Sequence, residues 1–429
     1  MIINKKNFLY FFLILLSILS FIYGFTVRED SAGGGKFDFR NTWNNQKIFN
    51  ENSLKDSIRN TKTSEIALAI NSHFPSSYIL NKYLNPFSKN KNDFLKSIFI
   101  LNFLIPIIFF FVIKNIYQTK SSFLLACLAS ILYLSPYFRT SSYWAGMENY
   151  GLLMLVISFS FFSIFLKKIK NNSRSNLYPI IFAFSFFSCA CVYFDQKLLI
   201  IPLIYMCLFF QNNIDKKYYY FYLIVNFVLS LPVIALIIYW GSVVTPHDTT
   251  TRKIGNFYLE QIGYSFSIIT FYLIPYILCN VNNIYNFIRN NINYFFKLFF
   301  FITIFIGIIL TYPTNYYEWN SLGKGWLHKL SNILFVEQFY IKIFIYFFFY
   351  SSILIFFATS QKNYFLNSFA IYFSFLAIFI LPIFQEYYDP LMLIFLVLFF
   401  YRDNDLNDKL IIYHYIFSSI FLIFMNNYY

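Results

Sequence analysis

Charge is what this sequence has least of. Asp, Glu, Lys and Arg supply 12% of its 429 residues, while 58% are hydrophobic. A soluble domain carries about 25% charged residues, so that class is excluded. Cysteine is sparse as well. Cys127, Cys189, Cys191, Cys207 and Cys279 all lie inside apolar runs, with no metal-site spacing, and none sits in a loop where a disulfide would form easily. They read as small buried hydrophobes. The alternation over about ten residues that a membrane barrel needs is not the dominant pattern. No Gly-x-Gly-x-x-Gly follows a strand, so no nucleotide fold is expected. No internal repeat of fixed period is visible, and no inverted duplication of the kind many transporters carry.

Long apolar runs are what the chain does have. Stretches of about 18 or more apolar residues recur from end to end, which marks an all-α polytopic membrane protein. Spans are expected near 8–25, 93–113, 122–138, 150–166, 178–193, 197–211, 218–240, 262–279, 295–312, 338–358, 364–383, 386–401 and 409–425. That is about 11–13 transmembrane helices in a single transmembrane domain, 1–429. The first run follows Lys5 and Lys6 with no small-x-small cleavage site behind it, so it is taken as a retained helix rather than a signal peptide. Phe (61) and Tyr (38) are abundant. AT-rich codons encode both, so their clusters are taken as lipid-facing bulk and interfacial belts, not as stacking platforms.

The basic residues set an orientation. With the N-terminus in the cytoplasm, 15 of the 33 basic residues but only four of the 19 acidic ones (Asp215, Asp403, Asp405 and Asp408) face inward. This positive-inside signature accounts for most of the net charge of +14 without a nucleic-acid partner. The long connections 26–92, 241–261 and 313–337 are then all outer, and 15 carboxylates share their face. Any chemistry is expected there.

The first outer loop opens with TVREDSAGGGKFDFR, residues 26–40. Glu29 and Asp30 stand where the first helix leaves the membrane. A carboxylate there can take a proton from a hydroxyl or coordinate a divalent cation; a plain solvated juxtamembrane cluster is the alternative. Gly33 to Gly35 let the backbone turn tightly and approach a ligand, and Asp38 returns a third carboxylate. Residues 64–84 suit two interfacial helices broken at Pro75, with His73 at the break. In SPYFRTSSYWAGMENYG, residues 135–151, Arg139 is placed to meet a phosphate at headgroup depth. Glu148 begins the next helix, where the helix dipole alone would favour it. Asp195 and Lys197 suit a structural ion pair. The loop 241–261 offers His247, Asp248, Arg252 and Lys253 as a cationic loop for a lipid phosphate. The loop 313–337 offers Glu318, Lys324 and His328, with Trp319 and Trp326 either over a sugar or at an interface. Glu386 and Asp389 suit helix capping.

The layout resembles the GT-C superfamily of integral membrane glycosyltransferases. One helix is followed by a large outer loop that opens with acids, then interfacial helices, then many spans. SHFPSSYILNKYL is similar to a His-Pro-Pro-Leu-Tyr type of segment, with Phe74 inserted between His73 and Pro75. Tyr137 to Glu148 is similar to the Arg-containing second outer loop. The resemblance implies a hexosyl- or pentosyltransferase of the bacterial cytoplasmic membrane with a periplasmic site. Its donor would be a polyprenyl-phosphate sugar and its acceptor an envelope glycan, lipid or protein. Inverting displacement would use Asp30, with Glu29 the alternative, as base or through a divalent cation, Mg or Mn. Arg139, Lys324, His328 and Arg252 would hold the donor phosphate; Asp38, His73, Glu148 and Trp319 would line the substrate. The rivals are an envelope polysaccharide polymerase or ligase, and a polytopic transporter or flippase. The latter predicts charges at mid-membrane depth, and the span centres are almost free of them.

Overall fold

The computed structural model describes residues 5–63, 74–171, 176–243, 258–311, 325–361, 363–379 and 383–426; for Leu310, Thr311, His328 and Gln338 it describes the backbone only. Among these residues the regular structure is entirely helical. Eight helices are long and apolar enough to cross a bilayer, or nine if one bent pair counts as a span. The chain is a polytopic membrane protein. It divides into two compact units, residues 1–250 and 251–428.

The first unit begins with α1 (Lys5–Thr26), a candidate span. Three short helices follow: α2 (Gly35–Glu51), α3 (Leu54–Thr63) and α4 (Ser76–Leu84). The sequence leaves 26–60 as a polar stretch, whereas the chain there is mostly helical. The reason lies in one face of α2. Phe49 stacks on Tyr78 of α4 with ring centroids 5.4 Å apart, and Trp43 meets Phe94 at 5.8 Å. Asn45 and Gln46 donate from the same face to the Tyr78 hydroxyl and carbonyl, both at 3.3 Å. Asn50, one turn further on, donates to the Ser88 carbonyl at 2.8 Å, while Lys36, Arg40, Asn44 and Lys47 are exposed. Helix α4 lies where the second interfacial helix is expected; residues 64–73, where the first is expected, lie outside the described residues.

Helix α5 (Lys91–Ile116) runs back across, capped by Asn90, whose side chain accepts from the Asn92 and Asp93 amides. The expected span 122–138 is not one helix. Helix α6 (Ser122–Ser130) and a 3-10 turn end at Leu134, and α7 (Pro136–Tyr143) departs at 66°. Ser135 caps α7 through its hydroxyl and Pro136 takes the first helical position, where a missing amide proton costs nothing. Helix α8 (Glu148–Lys170) packs along α9 (Tyr178–Phe194), and α11 (Lys216–Trp240) covers the other side of α9. Helix α9, of 17 residues, and α10 (Ile200–Gln211), of 12, are shorter than the roughly 20 residues that cross a bilayer. Asp195 and Lys197 form the expected structural pair between them, at 2.9 Å. The cysteine reading holds for Cys127, Cys189 and Cys191; Cys207 is exposed and Cys279 half-buried, so these two are not interior.

Phe21 of α1 is fully buried at the centre of an aromatic rosette. Tyr133, Tyr143, Phe99 and Phe138 surround it with centroids 4.9–5.8 Å away. Between membrane helices lipid already satisfies apolar surface, so tight packing and hydrogen bonding hold such contacts together. The rosette fixes α1 against α5 and α7.

In the second unit α12 (Glu260–Cys279) is the most buried candidate span, packed against α16 (Gln338–Ser360), α17 (Tyr364–Ala377) and α19 (Asp408–Asn426). Helices α13 (Val281–Asn290) and α14 (Ile292–Thr311) precede the short α15 (Trp326–Leu334). The expected span 386–401 is a 3-10 turn, a five-residue α18 (Leu391–Phe395) and a π turn. It falls short for the same reason as α9: the apolar run lacks the length.

Candidate functional site

The polar loop after α1 is strapped onto α7. Ser31 Oγ donates to the Pro136 carbonyl at 3.1 Å, and the Ala32 amide to Thr140 Oγ1 at 2.9 Å. Trp144 Nε1 donates to the Glu29 carbonyl at 3.0 Å, and the Tyr143 hydroxyl to the Phe21 carbonyl at 2.7 Å. Gly33 and Gly34, at φ 79° and 82°, turn the chain into α2. The close backbone approach anticipated for a ligand is to the protein itself. A Cβ on Gly35 would lie 2.7 Å from both Thr140 and Trp144 atoms.

Arg139 lies inside α7 with 2% of its surface exposed, not on a headgroup-facing loop. Its Nε donates to Glu29 Oε1 at 2.8 Å and its Nη2 to Glu29 Oε2. Nη1 donates to Ser20 Oγ at 3.2 Å and the Tyr133 carbonyl at 3.0 Å, and Nη2 also to the Ser20 carbonyl at 3.0 Å. A guanidinium has five N–H groups; all are taken. In this arrangement Arg139 has no donor left for a phosphate, and Glu29 is bound as its counter-ion. The pair is a clamp between α1 and α7. Gly24 makes room for it, since a Cβ there would lie 2.6 Å from both Arg139 Nη2 and Glu29 Oε2.

The other three acids gather beside this clamp. Asp30 accepts from the Gly35 amide at 3.1 Å and the Lys36 amide at 3.4 Å, which holds the start of α2. Glu148 opens α8, as expected, with Oε2 close to Gly146. Asp38, in the first turn of α2, makes no side-chain hydrogen bond among the described residues and is open to solvent. Its carboxyl is nonetheless pushed up from 3.8 to about 6, by partial desolvation first and then by repulsion from Glu148 and Asp30. Solvent contact tempers both the desolvation and the repulsion, and both act in the same direction.

As a cation site this set fits poorly. Among the described residues no three His, Cys, Asp or Glu side chains stand in ligating range of one point, and both Asp30 oxygens already receive amides.

No protein family, curated protein or solved structure matches the chain. The resemblance therefore rests on layout and motifs alone.

Of the expected site residues, Glu29, Asp30, Asp38, Arg139 and Glu148 stand together in the first unit. His73, Arg252, Trp319 and Lys324 lie outside the described residues; His328 is on α15, with its side chain outside them. Sequence reading missed the partners that saturate Arg139. Ser20 sits within an apolar run and contributes both its hydroxyl and its carbonyl, and no sequence pattern marks the latter.

Proposed function

We propose that this chain is a membrane-embedded glycosyltransferase of GT-C type, using a polyprenyl-phosphate-linked sugar at the membrane face where α1 ends and α2 and α8 begin. The observation that carries this reading is the triad of carboxylates around Asp38. Asp38 is open to water, unbonded and repelled by two like charges. A group so placed is a ready proton acceptor near neutral pH. In the proposed reaction Asp38 takes the proton of an acceptor hydroxyl. The acceptor oxygen bonds to the anomeric carbon as the bond from that carbon to the phosphate oxygen breaks, with inversion, and polyprenyl phosphate leaves. Asp38 thus takes the role expected of Asp30 or Glu29, which are engaged in capping and clamping. The face is proposed to be periplasmic, in a bacterial cytoplasmic membrane, and the acceptor an envelope glycan, lipid or protein.

The test is sugar transfer by protein in proteoliposomes supplied with radiolabelled polyprenyl-phosphate hexoses and pentoses. Asp38→Asn is expected to lower the rate about 10²- to 10⁴-fold, the usual worth of a general base, with the protein still folded. Unchanged transfer by Asp38→Asn would sink the assignment.

A further inference from the structure

The end of the first unit away from the acid cluster gathers cations. Helix α5 begins beside α2, where Trp43 meets Phe94, and has Lys114 in its last turn; α8 begins at Glu148 and has Lys167, Lys168 and Lys170 in its last turn. Lys120 follows α5 in the connection to α6. Helices α5 and α8 pack along each other. Their ends are tied, since Lys167 Nζ donates to the Asn115 carbonyl, next to Lys114. The carboxylates of the two helices, Asp93 and Glu148, lie in their first turns, at the other end. Among the described residues none of these lysines is in an ion pair. Asp215, before α11, is paired with its own neighbour Lys217 at 3.1 Å.

A cation in a last turn suits the helix dipole, and that accounts for one lysine on each helix. It does not account for three on α8 beside Lys114 and Lys120, because like charges on one helix face repel. A topology signal needs lysines on one side of the membrane, not joined at the ends of two packed helices. The neighbouring surface says what kind of anion fits. One turn before the lysines each helix exposes a large apolar side chain. Phe111, three residues before Lys114, is 58% exposed, and Ile164, three before Lys167, is 37% exposed. Residues three apart share a helix face. Lys114 Nζ also lies over the Phe110 ring, 5.7 Å from its centroid. Cations above an apolar stripe fit a ligand with an anionic head and acyl chains. A soluble anion would use the cations and leave the stripe bare.

We propose that the joined ends of α5 and α8 hold an acidic phospholipid of the surrounding bilayer. Its phosphate sits among Lys114, Lys120, Lys167 and Lys168, and its acyl chains run along Phe111 and Ile164. Clustered lysines at the end of a membrane helix attract anionic headgroups, and each ammonium, with three donors, can meet phosphate oxygens from several directions. The bound lipid offsets the repulsion among the lysines and so helps to hold α5 against α8. The site lies at the opposite end of both helices from the acid cluster, and the proposal does not depend on the transfer reading.

The experiment uses the full chain in a neutral detergent. It is titrated with phosphatidylglycerol and with phosphatidylcholine of the same acyl chains, and bound lipid is counted by native mass spectrometry. Phosphatidylglycerol is expected to bind more tightly, by about tenfold or more. Lys114→Gln with Lys168→Gln should weaken it about fivefold for each lysine removed. Neither side chain makes a hydrogen bond among the described residues, so the fold should be kept, as size exclusion checks. Lys114→Arg with Lys168→Arg should keep the binding. Arg289→Gln with Lys297→Gln, on α13 and α14, removes the same charge from the second unit and should leave it unchanged. Equal affinity for the two lipids would overturn the proposal. So would an equal loss in the second-unit pair, which would mean a diffuse field. Displacement of phosphatidylglycerol by an equal concentration of glycerol phosphate would mean a site for a soluble anion and would overturn it too.

Discussion

Arg139 in the first unit and Gln261 in the second are both strongly polar and both fully buried, yet they are served in opposite ways. Every N–H of Arg139 has a partner, and the counter-charge is delivered in bidentate geometry. Among the described residues neither end of Gln261 has one. A saturated polar hub belongs to the architecture, because any ligand would first have to break it. An unsaturated hub holds hydrogen-bonding capacity that the described residues leave unused. The same distinction sorts the acids of one short loop: Glu29 is consumed by the clamp, and Asp38 is left open.

The comparison can be broken most forcefully at the clamp. Arg139→Ala leaves Glu29 charged and unpaired, which should cost about 3–5 kcal/mol. It should appear as early aggregation on heating, read by fluorescence-detected size exclusion. Replacing both Glu29 and Arg139 with Met should recover most of that loss. Gly24→Ala drives a methyl into the clamp and should cost about 1–3 kcal/mol, read in the same assay. At the unsaturated hub the sign reverses. Gln261→Leu removes two orphaned atoms and should leave thermal stability equal or raise it by about 1 kcal/mol. A clear loss of stability there would erase the distinction drawn above.

The smallest effect is in pH dependence. A base at about 6 works only when deprotonated, so transfer should rise with pH through about 6. Glu148→Gln removes one repelling charge and should move that limb to lower pH, and Asp30→Asn should do the same by less. The raised value also bears on stability. The folded chain holds this proton more tightly than the unfolded chain does. The contribution is therefore full below about 3.8 and lost as pH rises through about 6.

The sequence made the membrane class legible, since apolar run length and lysine placement need no tertiary information. It also marked 26–40 and 135–151 as neighbours of interest, and five of their charged residues do meet. Among the described residues eight of the expected spans stand as helices long and apolar enough to cross a bilayer, or nine with the bent pair. An apolar run such as 386–401 is equally compatible with a buried tangle of short turns, and 122–138 hid a bend at Ser135–Pro136. It could not rank the acids. Whether Glu29, Asp30 or Asp38 is free depends on a guanidinium 110 residues away and on where α2 begins. It also missed Gln261, because an amide within an apolar run has no signature until its partners fail to arrive.

The clamp also sets an order of assembly. Glu29 and Ser20 precede Arg139 in the chain by 110 and 119 residues, so α1 is made long before α7 emerges. Of the groups that accept a hydrogen bond from Arg139, only the Tyr133 carbonyl is local. Burial of Arg139 with its charge satisfied is therefore expected to require that α1 is already in place. Glu29→Gln should delay the burial of α7 during synthesis, as read by cysteine accessibility at position 142.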